Sequence, residues 1–415
     1  MDTLRCVLAD AVANDLEIQG VDVSTAFLNA KLAEEIYLDV EGQVYQANKS
    51  IYGLKQSPRN WNKEIHHYFE KLGLYNTAYD KCLYKGKHLT VLLFVDDIVI
   101  VAKDTKKIEA FKKQLMSKYK CNDLGELSEF LGIKITRNRD KKLIHMSQEK
   151  YIMDMLTRFG MESCKPVSTP GQPHSQLIKA KADEKVIHED YRQMVGCLQY
   201  IQCLTRPDIA NAVREVAQHQ NAPTADHHIA VKRVMRYLKG TIEHGLCYGG
   251  TAADEELVGW VDANYAEDPD TRRSITGYVN ILYGGPVSWK STKQSIVSQS
   301  STESEYIALA EETNLLVYHR RVLQDIIPQV DPTVVMEDNV SAIAIANSDS
   351  INARTKHIDV RYHAIRERII NVDVILKHVK TTEQLADLLT KNIGPTKFCA
   401  LREHIVQPID IVRGY

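Results

Sequence analysis

The sequence Phe94-Val95-Asp96-Asp97-Ile98-Val99-Ile100-Val101 places two adjacent acids between two apolar runs. Alternating β-branched and aromatic residues on both sides predict two strands, with the acids in the tight turn that joins them. Two neighbouring carboxylates repel each other, so one of them should have a raised pKa unless a cation lies between them. A hard divalent ion suits such oxygen ligands. Taken alone, however, an Asp-Asp turn is more often simply solvated.

A third acid, near the start of the chain, favours a metal site. Residues Ile18–Val23 predict a short strand, with Asp22 close to its end and a turn over residues 24–29. An aspartate in this position alone would most often cap a helix. Together with Asp96 and Asp97, it gives three carboxylates on neighbouring strand ends. Such a set can hold two divalent ions for phosphoryl transfer.

Length and composition indicate a globular chain of about two to three domains. The 415 residues are 44% hydrophobic and 26% charged, and the net charge of −2 excludes an overall basic signal for nucleic acid. A nucleic-acid partner would therefore need a local basic groove. No apolar run reaches the ~18 residues of a membrane span, so no membrane partner is expected. Eight cysteines without a Cys-x-x-Cys pair favour reduced thiols in an intracellular protein.

The middle of the chain predicts a linker followed by helices. Prolines and glycine between residues 161 and 190 indicate a loose connection. Two or three helices are predicted, over Tyr191–Leu204, Pro207–Gln218 and Thr224–Leu238. The last carries a basic face that can follow a duplex backbone. The adjacent His227 and His228 have no third metal ligand at a suitable spacing, which favours an ordinary polar helix face.

The last third of the chain contains four acids, each at the end of a different predicted element. Asp262 and Asp338 end strands, Glu305 lies in the first turns of a long helix, and Asp387 starts a short helix. Glu303 is the alternative to Glu305, but Ser301-Thr302-Glu303 has the pattern of a helix cap. Singly, each acid is explained as a strand end or a cap. The surrounding strands and helices predict an α/β unit with one mixed sheet.

The first half of the chain resembles the reverse transcriptase of copia-type LTR retrotransposons. The strings Val21–Asn29, Ile51–Trp61 and Phe94–Val101 carry this resemblance, in the order that the family has. It implies a palm domain built on the hairpin, with Asp22, Asp96 and Asp97 as the polymerase metal ligands. It also implies nucleotide- and template-binding positions, among them an aromatic residue that screens out a ribose 2′-hydroxyl. These positions are Phe27 (the aromatic screen), Tyr52, Gly53, Lys55 and Gln56.

The second half resembles the ribonuclease H domain of the same family. The strings Ser300–Tyr306, Thr355–Asp359 and Leu385–Lys391 carry this resemblance. It implies that Mg²⁺ is bound, two ions at each active site with Mn²⁺ as the alternative. The ligands at this second site would be Asp262, Glu305, Asp338 and Asp387. Water activated there would attack an RNA phosphodiester, and selection of RNA would depend on its 2′-hydroxyl.

The two resemblances together predict the organisation of the chain. The fold class is α/β: an α+β palm with a hairpin active site, a helical connection, and a ribonuclease H-like domain with a mixed sheet. Residues 1–160 are predicted as the palm with partial fingers and thumb, and 161–250 as linker and connection. Residues 251–391 are predicted as the ribonuclease H-like domain, and 392–415 as a tail. The family's upstream fingers, which bind the triphosphate, are not recognised before Asp22, so weak polymerase activity is expected.

The leading functional prediction is RNA-templated DNA polymerisation coupled to hydrolysis of RNA in RNA–DNA hybrids. The expected partners are an RNA template, a DNA primer, an RNA–DNA hybrid and dNTP, with the remaining Pol and Gag parts of the element as further partners. The expected location is a cytoplasmic virus-like particle, with access to the nucleus. Two alternatives stay open: an enzyme with only the hybrid nuclease active, and an inert remnant of the element that only binds nucleic acid.

Overall fold

The computed structural model describes residues 1–250, 256–327, 332–348 and 359–413. The chain forms two compact units. One comprises Asp10–Phe130 and Arg321–Pro328, and the other comprises Met1–Ala9, Leu131–Arg320 and Gln329–Tyr415. Helices and strands alternate in both, which confirms the predicted α/β class. The four segments predicted from the sequence stay a prediction, and the string Thr355–Ile358 lies outside the described residues.

The first 130 residues form a sheet with two helices packed on it. The elements are α1 (Asp2–Ala13), β1 (Glu17–Val23), a 3₁₀ turn (Ala26–Asn29), β2 (Tyr37–Val40), β3 (Gln43–Gln46), α2 (Ser57–Lys71), β4 (Tyr75–Asn76), β5 (Leu83–Lys85), β6 (Thr90–Phe94), β7 (Asp97–Ala102), α3 (Thr105–Lys118), β8 (Cys121–Glu126) and β9 (Glu129–Phe130). Six of these strands make one sheet in the order β4-β5-β6-β7-β1-β8, and β2 pairs with β3 separately.

The apolar runs around the two acids form the predicted hairpin at the centre of this sheet. Strands β6 and β7 pair antiparallel, with Phe94 opposite Asp97. Residues Ile98–Val101 are buried throughout because the strand has neighbours on both sides and helices over its face. Helices α2 and α3 contribute the apolar stripes that cover it, including Trp61, Ile65, Phe69, Ile108, Phe111 and Leu115.

The other unit contains a helical cluster and two further sheets. The elements are β10 (Ile133–Asn138), β11 (Leu143–Ser147), α4 (Glu149–Arg158), α5 (Tyr191–Leu204), a 3₁₀ turn (Pro207–Ile209), α6 (Ala210–Ala217), α7 (Ala225–Gly240), β12 (His244–Gly249), β13 (Val258–Asn264), β14 (Ile275–Leu282), β15 (Gly285–Lys293), α8 (Ser301–Ile326), β16 (Thr333–Glu337), α9 (Val340–Asn347), α10 (Asp359–Ile370), β17 (Val374–His378), α11 (Asp387–Thr390), α12 (Pro395–Arg402), β18 (Gln407–Pro408) and α13 (Asp410–Arg413).

A mixed five-stranded sheet dominates the last third of the chain. Its order is β15-β14-β13-β16-β17. Strand β13 pairs antiparallel with β14 but parallel with β16, and β16 pairs parallel with β17. The carboxyl ends of β13 and β16 therefore meet at one edge of the sheet, and the residues that end these strands are brought together there.

The last described residues, 392–413, are folded. Phe398 and Leu401 of α12 are buried in the same core as helices α4 to α7. Strand β18 pairs antiparallel with β12, with His244 opposite Pro408. None of the helices in the described part of the chain is long and apolar enough to cross a bilayer.

Candidate functional site

The three acids of the first half lie together at one end of their sheet. Asp22 on β1 stands directly opposite Asp97 on β7 in the antiparallel register. The backbone nitrogen of Val23 donates a hydrogen bond of 2.8 Å to the carbonyl oxygen of Asp96 in the turn. Antiparallel pairing places residues that are far apart in sequence on the same strand ends, so these three carboxylates share one neighbourhood.

The turn that carries Asp96 has a strained backbone supported by a helix. Val95 has φ = 55°, a left-handed conformation that β-branched residues rarely adopt. The indole nitrogen of Trp61, on α2, donates a hydrogen bond of 2.7 Å to the carbonyl oxygen of Val95. Trp61 is 1% exposed, so a buried side chain determines where the turn and its acids stand.

The charges at this centre interact. Burial raises the pKa of Asp97, and the neighbouring carboxylates of Asp22 and Asp96 raise it further. Asn122, which the sequence analysis missed, donates from its amide nitrogen to Asp22 Oδ2 at 2.9 Å. It lies opposite Asp22 on strand β8. The sequence gives little indication of this role for Asn122, because β8 has no alternating apolar pattern that would predict a strand.

Of the five predicted nucleotide and template positions, Tyr52 reaches the acids directly. Its hydroxyl donates a hydrogen bond of 3.0 Å to Asp96 Oδ2, and its ring centroid lies 4.7 Å from that of Phe27. Gly53 has φ = 98°, and a Cβ added there would meet no atom within 4 Å, so open space adjoins it. Lys55 is exposed, and Gln56 precedes the first residue of α2.

The second half of the chain brings three of its four predicted acids into one tight cluster. Each of Asp262, Glu305 and Asp338 offers a carboxylate oxygen, and these oxygens all lie within 4.8 Å of one another. Asp262 comes from β13, Asp338 follows β16 and Glu305 comes from α8. No other group of three potential metal ligands in the described ranges meets this criterion, including Asp22, Asp96 and Asp97.

Local hydrogen bonds orient Glu305 and separate it from Glu303. The Glu305 carboxylate accepts a hydrogen bond of 2.6 Å from the backbone nitrogen of Ala263, the residue after Asp262. The Glu303 carboxylate accepts from the backbone nitrogen of Gln299 at 2.6 Å, and its own backbone nitrogen donates to Ser300 Oγ at 3.1 Å. Glu303 therefore caps α8, while Glu305 faces the acidic cluster.

These acids are buried close together, so a nearby cation would stabilise their ionised forms. Burial raises the pKa of Asp262 to about 6, against the lowering effect of Lys391. Burial also raises the pKa of Glu305 well above its ordinary value, and Asp262 adds to that shift. Glu337, which the sequence analysis missed, is fully buried beside Asp338, and its Oε2 has no hydrogen-bond partner. Crowded, incompletely satisfied carboxylates of this kind fit a divalent cation.

Asp387 joins this centre through a lysine. It is 1% exposed, and Lys391 Nζ lies 2.6 Å from its Oδ1 and 3.1 Å from Oδ1 of Asp262. The ammonium group of Lys397 contacts the other oxygen of Asp387, and the hydroxyl of Thr390 donates to Asp262. The analysis of the sequence missed these three residues. For Lys391, the spacing of four residues from Asp387 was the feature of the sequence that could have indicated this contact.

Comparisons with known proteins found a matching family and similar polyproteins. Residues 1–173 match the family described as reverse transcriptase (RNA-dependent DNA polymerase). The retrovirus-related Pol polyprotein from transposon TNT 1-94 of Nicotiana tabacum is 39% identical over 423 residues, which cover 97% of this chain and 32% of that polyprotein. The Pol polyprotein from transposon RE1 of Arabidopsis thaliana is 35% identical over 412 residues, covering 95% of this chain and 28% of the polyprotein.

A solved structure is also similar to part of the chain. LC11 ribonuclease H1 in complex with an RNA/DNA hybrid is 15% identical, with a TM-score of 0.26, and the match covers 33% of this chain and 96% of that one. The chain spans about a third or less of the length of the two polyproteins it matches.

Proposed function

Since the chain belongs to the Pol polyproteins of copia-type retrotransposons, in their reverse transcriptase and ribonuclease H region, we propose that it copies RNA into DNA and hydrolyses RNA in RNA–DNA hybrids. The observation that carries the nuclease part is the cluster of buried Asp262 and Glu305 with half-buried Asp338, whose oxygens lie within 4.8 Å of one another. The polymerase part rests on the family match of residues 1–173. Nucleic acid is the partner class that the family implies, and dNTP is the proposed substrate of the polymerase centre. The predicted cytoplasmic particle stays a prediction.

At the nuclease centre, Asp262, Glu305 and Asp338 would hold a divalent ion, proposed to be Mg²⁺ with Mn²⁺ as the alternative. A bound ion of this kind lowers the pKa of water and stabilises the leaving oxygen of a phosphodiester. The protein's own contribution is orientation. The backbone nitrogen of Ala263 holds Glu305, and the hydroxyl of Thr390 holds Asp262, so both carboxylates keep their direction without substrate.

At the polymerase centre, Asp22 and Asp97 would hold the ion from facing strands, and Asp96 from the turn. Tyr52 bonds to Asp96 and packs on Phe27, so Tyr52 links the acids to the residue proposed to reject a ribose 2′-hydroxyl. The open space beside Gly53 supports a nucleotide or template strand passing there, with Lys55 and Gln56 on the same segment. Catalysis of phosphoryl transfer depends mainly on such positioning and on charge.

The test separates the two centres with one substitution in each. Purified full chain, Asp97→Asn and Asp338→Asn would be assayed for primer extension on an RNA template and for cleavage of a labelled RNA–DNA hybrid. We expect Asp97→Asn to lose extension and Asp338→Asn to lose cleavage, each by about a hundredfold or more, because each removes a metal ligand. Asp140→Asn, at an exposed turn, is the matched control and should keep both activities.

A hybrid nuclease alone is the second candidate, and a specific observation favours it. The nuclease acids form a tight group in the described structure, whereas Asp22, Asp96 and Asp97 do not, and Tyr52 bonds to one of them. Cleavage without extension in the unsubstituted chain would support this candidate. Loss of neither activity in Asp338→Asn and Asp97→Asn would contradict both. A cooperatively folded chain with neither activity would indicate the remnant that only binds nucleic acid.

A further inference from the structure

Lys391 lies between two buried carboxylates at the nuclease centre. Its Nζ is 3.1 Å from Asp262 and 2.6 Å from Asp387, and both aspartates are 1% exposed. The lysine side chain itself is 30% exposed, so its stem extends from the surface and its charge points inward. A single ammonium group therefore bridges two acids that the family resemblance assigns as ligands of the same metal pair.

Two ammonium groups contact the carboxylate of Asp387. One of its oxygens contacts Lys391 and the other contacts Lys397, whose Nζ also donates to the carbonyl oxygen of Thr381 at 2.7 Å. Glu305 and Asp338, by contrast, face Asp262 without a lysine among the contacts that orient Glu305. The centre is thus asymmetric, because the ammonium groups of Lys391 and Lys397 both contact Asp387, and Lys391 also reaches Asp262.

We propose that Lys391 replaces the second divalent ion of the nuclease centre. One ion binds among Asp262, Glu305 and Asp338, and the ammonium of Lys391 supplies the positive charge between Asp262 and Asp387. This inference rests on the proposed nuclease function and changes the expected number of ions from two to one. A second ion enters only by displacing Lys391, because an ammonium and a divalent cation repel each other at this range.

A lysine is suited to this position. Its ammonium is a compact charge on a flexible stem with three donors, so it can bridge two carboxylates and still move aside. Lys391 is the C-cap residue of α11, in an extended backbone conformation, and from there its side chain reaches both Asp387 and Asp262. Arginine would keep the charge but not the compact geometry.

The experiment measures ion binding rather than activity. Mn²⁺ would be titrated into the full chain by calorimetry, with electron paramagnetic resonance as a second readout of bound ion. The parent protein carries Asp22→Asn and Asp97→Asn, which remove the polymerase ligands so that only the nuclease centre is counted. Lys391→Met, Lys391→Gln and Lys391→Arg are compared in this background. Lys397→Met is the matched control because Lys397 contacts Asp387 but not Asp262.

We expect one Mn²⁺ per parent molecule. Lys391→Met and Lys391→Gln should gain a second ion whose affinity is about tenfold or more above that in the parent. Lys391→Arg and Lys397→Met should stay at one ion. Thermal melts identify any variant that fails to fold. If a variant does not fold, the number of Mn²⁺ ions bound by the parent still tests the inference.

Three results would overturn the inference. Two ions of similar affinity in the parent, or a single ion in well-folded Lys391→Met and Lys391→Gln, would refute it while leaving the nuclease proposal standing. Absence of any bound ion, together with absent hybrid cleavage by the unsubstituted chain, would overturn the nuclease proposal and this inference with it. The two failures are therefore distinguishable.

Discussion

At the scale of single residues, Glu312 is an acid that the interior keeps protonated. It lies on α8 with no exposed surface, beside Asn280 and Tyr278. Burial raises its pKa from about 4.5 to about 8, although Asn280 opposes the shift. When the pKa of a carboxyl group is higher in the folded than in the unfolded state, the unfolded state loses its proton first as the pH rises. The free energy of unfolding therefore falls between the two pKa values.

Glu312→Gln should therefore reduce the pH dependence of stability by the share that Glu312 contributes. In the unsubstituted chain, the unfolded state loses this proton above about pH 4.5 and the folded state keeps it to about pH 8. The free energy of unfolding should fall across that window, on the order of a few kcal/mol, and Glu312→Gln should flatten the fall. Urea-induced unfolding of both proteins at pH 5 and pH 8 measures this change in the free energy of unfolding.

The control for this prediction is Glu383→Gln, at an exposed position of the same unit. It should keep the pH dependence of the unsubstituted chain. A Glu312→Gln protein whose stability still falls by the same amount between the two pH values would show that Glu312 is not the group responsible.

At the scale of secondary-structure elements, helix α2 supports the hairpin that carries Asp96 and Asp97 through one indole group. Trp61→Phe removes the donor to the Val95 carbonyl oxygen and leaves a small cavity. We expect a loss of about 2 kcal/mol in stability and a fall in primer extension, because the turn that carries Asp96 loses its support. Chemical melts and extension assays measure the two effects.

Tyr68→Phe on the same helix is the matched control. It removes a hydrogen bond of 2.7 Å to the Gln114 carbonyl oxygen, on α3 rather than on the turn. It should lower stability by about 1 kcal/mol and leave extension unchanged in the folded protein. Equal loss of extension in both variants would mean that general stability, not the turn, limits that activity.

A buried ion pair ties the 3₁₀ turn Pro207–Ile209 to helix α7. Arg206 and Asp208 are both fully buried and form two hydrogen bonds, of 2.9 and 2.7 Å, and Tyr237 donates to the same carboxylate at 2.6 Å. Asp208→Asn should cost about 3–5 kcal/mol because it leaves the Arg206 charge buried without its counter-ion. Urea melts measure the loss.

The comparison for this pair is a surface salt bridge of the same unit. Lys134 and Glu149 lie 3.2 Å apart with side chains 49% and 35% exposed, so Glu149→Gln should cost less than about 1 kcal/mol. Similar losses in Asp208→Asn and Glu149→Gln would contradict the role assigned to burial.

At the scale of the whole molecule, the two compact units are not consecutive pieces of the chain. Residues Met1–Ala9 belong to the unit that otherwise begins at Leu131. Arg5, 2% exposed, donates to the carbonyl oxygens of Leu204 at 2.9 Å and Val287 at 3.2 Å, and also to that of Cys203. Its guanidinium lies 4.0 Å from the ring centroid of Trp289.

Arg5→Leu should consequently destabilise the unit that holds the proposed nuclease centre. Three carbonyl oxygens, two of them buried, lose their donor, and we expect a loss on the order of 3 kcal/mol. Hydrogen exchange should increase in α5 and β15, far from residue 5 in sequence. Lys31→Leu, at an exposed position, is the control and should change neither measurement. Unchanged exchange in α5 and β15 would refute this role of Arg5.

Local patterns predicted much of the fold because their information lies within a few residues. The hairpin around Asp96 and Asp97, the helix over Tyr191–Leu204 and the mixed sheet all follow from the spacing of apolar side chains. Strand β8 was missed because Asn122, Asp123 and Gly125 make a poor strand, and its pairing with β1 supplies the missing preference. The family resemblance supplied the candidate acids, and their roles stay proposals.

The sequence by itself determined which residues carry charge and where the strands and helices run, since apolar periodicity and turn chemistry act over short distances. Only the tertiary structure decided how those charges are compensated. It placed Lys391 between Asp262 and Asp387, Asn122 on Asp22, and the Glu337 carboxylate in the interior. Such partners meet through strand pairing and helix packing across 100 residues or more, as Asn122 and Asp22 do. No local pattern records a distance of that kind.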